Sequence, residues 1–282
     1  MGYSAEISRG NPTCFLFLID QSGSMADRFG LGEATMSKAE GAATAINRLL
    51  QNLVLTCAKD FEEGPRDYFH LGVIGYGNSV VSGFAGSLAG RDLVPISEVG
   101  NNPARVEDRL KKMDDGAGGI IDKKVRFPIW FDPVANGGTP MCHTFQRAEG
   151  ILQGWLTAHP DCFPPVVFHI TDGESTDGDP RERMAAIARL SSSDGTVLLF
   201  NLHLSSNPLA RSFTFPNGAA GLPDEFASML FDTASQLTPF MCSVANQHGF
   251  GVTEGARAFI LNAEAVHVAQ AFDIGTRPSN LR

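Results

Sequence analysis

Cys14-Phe15-Leu16-Phe17-Leu18-Ile19-Asp20-Gln21-Ser22-Gly23-Ser24-Met25 passes from apolar to polar in a single step, at Asp20. The residues from Cys14 to Ile19 are apolar at both odd and even positions, as a central parallel strand covered by helices on both faces requires. Open α/β sheets build their ligand sites just past the carboxyl ends of such strands. There this chain carries one carboxylate (Asp20) and two hydroxyls (Ser22, Ser24) within one turn. These are hard oxygen donors, suited to Mg²⁺, Mn²⁺ or Ca²⁺ rather than zinc.

Two later segments have the same character. Gly137-Gly138-Thr139-Pro140 is a glycine-rich loop ahead of an amphipathic stretch, and Val166-Val167-Phe168-His169-Ile170-Thr171 is an apolar strand ending in Asp172-Gly173. Each alone has a plainer reading. Ser, Thr and Asp cap helices routinely, and Asp-Gly makes ordinary turns. Taken together, the plainer readings need three coincidences in order.

The three segments resemble the three motifs of the metal-ion-dependent adhesion site in von Willebrand factor A domains. That resemblance implies a three-layer α/β/α Rossmann-like fold with a mostly parallel sheet and one antiparallel edge strand. It implies that Ser22, Ser24 and Thr139 reach a divalent cation through hydroxyls, while Asp20 and Asp172 hold it directly or through waters. The ion is expected to be Mg²⁺, with Mn²⁺ or Ca²⁺ as substitutes. It would take one further oxygen from an Asp or Glu of a protein partner, so the implied role is a non-enzymatic adaptor. Small cytoplasmic bacterial proteins of this kind, associated with tellurite resistance and stress responses, act beside a protein kinase and a protein phosphatase, which suggests the class of partner.

Strand and helix patterns alternate along the chain, which is the α/β signature. Residues 1–12 read as a polar arm and 13–282 as one domain, with an insertion at about 87–137. Apolar positions from Met36 to Cys57 recur every three or four residues, marking a long amphipathic helix. Tyr68–Tyr76 reads as a strand, and Gly77-Asn78 as a tight turn returning along an antiparallel edge strand. Within the insertion, Val106–Met113 reads as a short helix and Ile120–Trp130 as a hairpin strand. Pro140–Ala158 is a second amphipathic helix. Asp179-Pro180 and Thr238-Pro239 pair a capping residue with a proline suited to the first helical turn.

With 282 residues, 43% hydrophobic and 19% charged, the chain has ample material for a core. A formal charge of −9 argues against a nucleic-acid backbone as partner. The basic cluster Lys123, Lys124 and Arg126 reads as a solvated hairpin face. Five cysteines, an odd number without a C-x-x-C pair, argue against a disulfide framework or a zinc site and favour a reduced, cytoplasmic setting. The segment MGYSAEISRGNP lacks a secretory pattern, and Glu6 breaks a myristoylation pattern. No apolar run is long enough for a membrane span.

Two other functions compete. A haloacid-dehalogenase-like phosphotransfer enzyme also begins with an apolar strand ending in Asp and uses Mg²⁺, but it needs a second Asp where this chain has Ser22. A scaffold with a purely structural metal would make its contacts through the insertion. The phosphate-loop pattern is absent, and Ser22-Gly23-Ser24 lacks the glycine that precedes the nucleophile in a hydrolase elbow. Glu174, Asp177 and Asp179 read as a solvated acidic loop, and His169 and His203 as core or edge histidines.

Overall fold

The computed structural model describes residues 2–29, 36–58, 64–114, 120–204, 211–279 and 281, with the backbone alone at 111–114 and 120. The segments 30–35, 59–63, 115–119 and 205–210 lie outside the described residues.

In chain order, β1 is Thr13–Asp20, α1 Lys38–Cys57, β2 Phe69–Tyr76, β3 Val80–Ser82, β4 Val94–Pro95 and α2 Ile96–Asn101. The pair β5 Arg105–Asp114 and β6 Ile120–Ile129 follows, then α3 Met141–Ala158, β7 Val166–Thr171, α4 Arg181–Arg189 and β8 Leu198–Leu204. The last elements are β9 Phe213–Thr214, α5 Glu225–Thr233, α6 Pro239–Gln247, β10 Phe259–Ala263 and α7 Ala265–Thr276. Two further two-residue antiparallel pairings, Arg28–Phe29 with Met36–Ser37 and Ser191–Ser192 with Gly195–Thr196, stand outside the main sheet.

The main sheet runs β9-β10-β8-β7-β1-β2-β3, with β4 also on β2. The neighbours β2, β1, β7, β8 and β10 are parallel. The edge hairpin β2–β3 is antiparallel, as the Gly77-Asn78 turn predicts. Two short antiparallel strands, β4 and β9, were not expected from the sequence.

The double-sided burial of β1 defines the three layers. Phe15, Phe17 and Ile19 point into one core with α1, α6 and α7, while Cys14, Leu16 and Leu18 point into the other with α3, α4 and α5. In the first core Phe17 stacks on Phe168 with ring centroids 5.2 Å apart, and Phe272 meets both edge-on. Each such ring contributes about 1.5–3 kcal/mol by leaving water. Helix α1 starts on Ser37, whose hydroxyl accepts from Glu40 N while the Glu40 carboxylate accepts from Ser37 N. This reciprocal cap fixes the first turn.

The segment expected to be an insertion corrects one expectation. Val106–Met113 is not a helix but part of β5, paired residue for residue with β6. Its apolar residues at 106, 110 and 113 fit a helical period, yet the segment pairs antiparallel with β6, and cross-strand pairing prevails over local period. Arg109 lies over the Phe127 ring at 3.8 Å, and Glu107 pairs with Arg105 and Arg109. The base of the hairpin is anchored by buried Phe127, Ile129, Trp130 and Phe131. The N-terminal segment is packed down: Tyr3 N donates to Asp194 O, Ser4 N to the Asp194 carboxylate, and Ile7 is buried.

All five cysteines are free. Burial pushes the Cys57 thiol up to about 12 and the Cys162 thiol to about 11, so both are poor nucleophiles near neutral pH. No helix among the described residues is long and apolar enough to cross a membrane.

Candidate metal centre

Strand order alone locates the crevice. From β1 the chain reaches β2 on one side through α1, and it later returns to place β7 on the other side of β1. Such a reversal opens a gap between the loops that leave the two strands. Ile19 is in register with Ile170, so Asp20 and Thr171 leave the sheet side by side, and Asp172 follows immediately.

Asp20 is 1% exposed. Its Oδ1 accepts from Ser22 N at 2.8 Å and its Oδ2 from Thr171 Oγ1 at 2.9 Å. Burial pushes its carboxyl up to about 6, with the Asp172 charge adding to the rise and the bonds from Ser22 and Thr171 opposing it. Ser22 Oγ lies 3.1 Å from Ser24 Oγ, and Ser24 Oγ donates to Asp172 Oδ1 at 2.7 Å. Four of the residues chosen from the sequence are therefore joined in one continuous polar cluster.

Thr139 reaches the same end of the sheet through its backbone. Gly23 N donates to Gly137 O at 3.0 Å, tying the first loop to the glycine loop. Asn136 N donates to Gln21 O and Asn78 N to Asn136 O, which adds the β2–β3 turn. Gly137 has φ +91°, and a Cβ there would lie 2.4 Å from Asn78 N, so only glycine fits this crossing. The Thr139 side chain, 6% exposed, makes no hydrogen bond among the described residues. The structure does not join its hydroxyl to the other four side chains.

Several contributors escape sequence reading. Thr176 locks the Thr139 loop to the Asp172 loop: its Oγ1 accepts from Thr139 N at 2.9 Å and its N donates to Thr139 O at 2.9 Å. Asp177 accepts from Cys142 N and His143 N, both at 2.9 Å, capping α3 from another loop. Burial raises its carboxyl, but those N–H bonds outweigh burial and hold it below the usual carboxylate range. Asp179 Oδ1 accepts from Arg181 N at the start of α4. Lys38, the first residue of α1, is 4% exposed, and its Nζ lies 2.7 Å from Asp172 Oδ2. The capping box marks its helix start, but no local signal points its side chain at a residue 134 positions away.

Beneath the cluster lies a buried relay. Tyr76 OH is 2.7 Å from His169 Nε2, and His169 Nδ1 is 3.1 Å from Asn201 Oδ1. The Asn201 amide NH₂ donates to Leu230 O and Thr233 Oγ1, which leaves Oδ1 as the acceptor. His169 therefore carries its proton on Nδ1 and accepts from Tyr76 on Nε2. Burial pushes its imidazole down to about 4. His169 is a satisfied core histidine with no part in the cluster.

The donor set of two carboxylates and three hydroxyls suits a hard divalent ion. Among the described residues no group of three or more His, Cys, Asp or Glu is placed to hold a metal ion. The buried Asp20 carboxylate and the unpartnered Thr139 hydroxyl fit a cation bound at this place. Beside it, a shallow cavity of about 510 Å³ is lined by Asn78, Gly138, Pro140, His143 and Thr176. A larger cavity, about 1000 Å³, lies at the opposite end of the parallel strands, near Thr196, Ser235, Thr238 and Arg257, and includes none of these donors.

The chain matches no protein-family profile and no curated protein sequence. Among solved structures it is similar to the three N-terminal domains of the type V pili tip protein Mfa5 from Porphyromonas gingivalis, with 12% identity and a TM-score of 0.32 over 58% of this chain and 20% of that one. It is also similar to the ArnB paralog VWA2 from Sulfolobus acidocaldarius, with 14% identity and a TM-score of 0.37 over 72% of this chain and 37% of that one. Likeness at this level leaves the functional reading to the residues themselves.

Proposed function

We propose that this chain is a von Willebrand factor A-type module that binds a divalent cation through Asp20, Ser22, Ser24, Thr139 and Asp172. It uses that cation to capture a protein partner and performs no chemistry on it. The observation that carries this reading is the convergence of Asp20, Ser22, Ser24 and Asp172, with Ser24 Oγ 2.7 Å from Asp172 Oδ1 across 148 residues of sequence. Bound there, the ion would supply an electrophilic centre for one outside oxygen, because neutral hydroxyls neutralise none of its charge. An acidic side chain of a partner fits that role. The cytoplasmic bacterial setting, and a partner drawn from a protein kinase or phosphatase, extend the proposal by resemblance alone.

The test is Mn²⁺ binding followed by partner capture. Wild type is expected to take up one Mn²⁺, and Asp20→Asn and Thr139→Val to lose most of that affinity while remaining folded. Capture of a partner from the source lysate is expected in Mg²⁺ and not in EDTA. Mn²⁺ uptake by Asp20→Asn equal to wild type would refute the site. Capture that persists in EDTA would refute metal-bridged recognition.

A further inference from the structure

Lysine at the first position of a helix is poorly placed. The helix macrodipole puts partial positive charge there and favours Asp or Glu. A lysine so thoroughly buried is also uncommon unless its ammonium is paired. Lys38 has both features, being the first residue of α1 and 4% exposed. Its backbone is held firmly, by the Ser37–Glu40 capping box and by a bond from its own N to Asp27 O at 2.9 Å. Its head group is less committed. Nζ lies 2.7 Å from Asp172 Oδ2, 3.5 Å from Ser24 O and 3.6 Å from Asp27 Oδ2. The Asp172 side chain is fully buried, whereas that of Asp27 is 60% exposed.

The ammonium is thus bound to one of the two carboxylates that would hold the cation, with a second, more exposed carboxylate within about an ångström of contact. His203 is the other titratable group influenced by both Asp172 and Lys38, and burial keeps its imidazole below the ordinary value. We propose that Lys38 is a built-in competitor of the metal: its ammonium neutralises Asp172 in the metal-free protein and must be displaced toward Asp27 when a divalent ion binds. The site is then exchanged between an internal monovalent cation and an external divalent one. Lys38 sets the metal concentration at which the partner-binding form appears. An ammonium and a divalent ion on one carboxylate repel each other in a buried setting, so each weakens the binding of the other. The side chain stays close to the site in both states, because α1 holds its stem.

This inference rests on the proposed metal site, and its test separates the two. Mn²⁺ binding is measured at one pH and ionic strength on wild type, Lys38→Met, Lys38→Arg and Asp20→Asn. Lys38→Met, which keeps the apolar stem and removes the charge, is expected to bind Mn²⁺ about tenfold or more tightly than wild type. Lys38→Arg keeps the charge and is expected to gain nothing. A crystal structure of wild type loaded with Mn²⁺ is expected to show Nζ withdrawn from Asp172, and it answers the question even if Lys38→Met fails to fold. Lys38→Met binding no tighter than wild type while Asp20→Asn loses binding, or Nζ remaining on Asp172 beside bound Mn²⁺, overturns the role of Lys38 and leaves the metal site standing. Absence of Mn²⁺ binding by both wild type and a folded Lys38→Met overturns the metal site and the inference together.

Discussion

Replacing Asn47 by Leu tests how the end of the β5–β6 hairpin is held to α1. Asn47 is 1% exposed in the middle of α1. Its Oδ1 accepts from Trp130 N at 2.8 Å and Phe131 N at 3.1 Å, and its Nδ2 donates to Phe131 O at 2.7 Å and Ala43 O at 2.9 Å. One side chain thus satisfies three backbone groups just past β6, where the chain leaves the hairpin for the Thr139 loop. Leu has the same branched arrangement of heavy atoms as Asn, somewhat bulkier, and no polar atom, so the three groups lose these partners in a dry setting. Each orphaned group costs about 1–3 kcal/mol. The buried Leu returns about 2 kcal/mol of hydrophobic transfer energy. The net loss is about 4 kcal/mol, and the corresponding fall in Tm is roughly 10 °C. Urea unfolding followed by tryptophan fluorescence suits the measurement, because Trp130 itself sits at the site. A loss below about 1 kcal/mol would refute the reasoning, since it would mean that the Trp130 and Phe131 backbone groups find other partners or water. Asn47→Asp supplies a control: it keeps the acceptors for both N–H groups but sets a carboxylate against Phe131 O, so it too should destabilise.

Gly137→Ala forces a side chain into a left-handed backbone conformation and against Asn78 N, which displaces the loop that carries Thr139. Mn²⁺ titration is expected to show affinity reduced about tenfold, out of proportion to the small drop in Tm expected of a surface loop. His169 governs one part of the pH dependence of stability. Its native imidazole titrates at about 4 and its unfolded one near 6.5, so the unfolded chain binds more protons between those values. Stability contributed by the neutral ring is complete above pH 6.5 and falls by about 3 kcal/mol as the pH drops to 4. Asp20 titrates in the same window with the opposite sign, so the measured quantity is wild type minus His169→Gln, in which the Asp20 contribution cancels. A difference that stays constant from pH 7 to pH 4.5 would contradict the buried neutral histidine. Shortening the hairpin beyond the Asp108–Arg126 pair, while retaining Phe127 and the residues that follow, removes exposed Leu110 and Ile121 and is expected to leave Mn²⁺ binding intact. Loss of partner capture in that variant would assign the interface to the hairpin rather than to the metal.

Much of the architecture is legible from short windows. Apolar residues on both faces of β1 and β7 announce parallel strands, and the spacing from Met36 to Cys57 announces α1, because strand and helix periods are properties of neighbouring residues. The oxygen donors at Asp20, Ser22, Ser24 and Asp172 are legible for the same reason, since each lies at or just past the end of a strand that can be recognised locally. Val106–Met113 is not legible in this way, because its apolar spacing serves a helix as well as a strand and pairing with β6 decides between them.

Tertiary structure alone decided the rest. The pairing of Lys38 with Asp172 bridges 134 residues, that of Thr176 with Thr139 bridges 37, and that of Asn47 with Phe131 bridges 84. None of these has a periodic signal, because a single polar side chain can turn to water, to its own helix end or to a distant loop at similar local cost. Burial removes the water, and the choice then falls to whichever partner the fold has brought within hydrogen-bond reach. The chain itself marks where hard oxygen donors end their strands; only the folded sheet reveals that a lysine already occupies one of them.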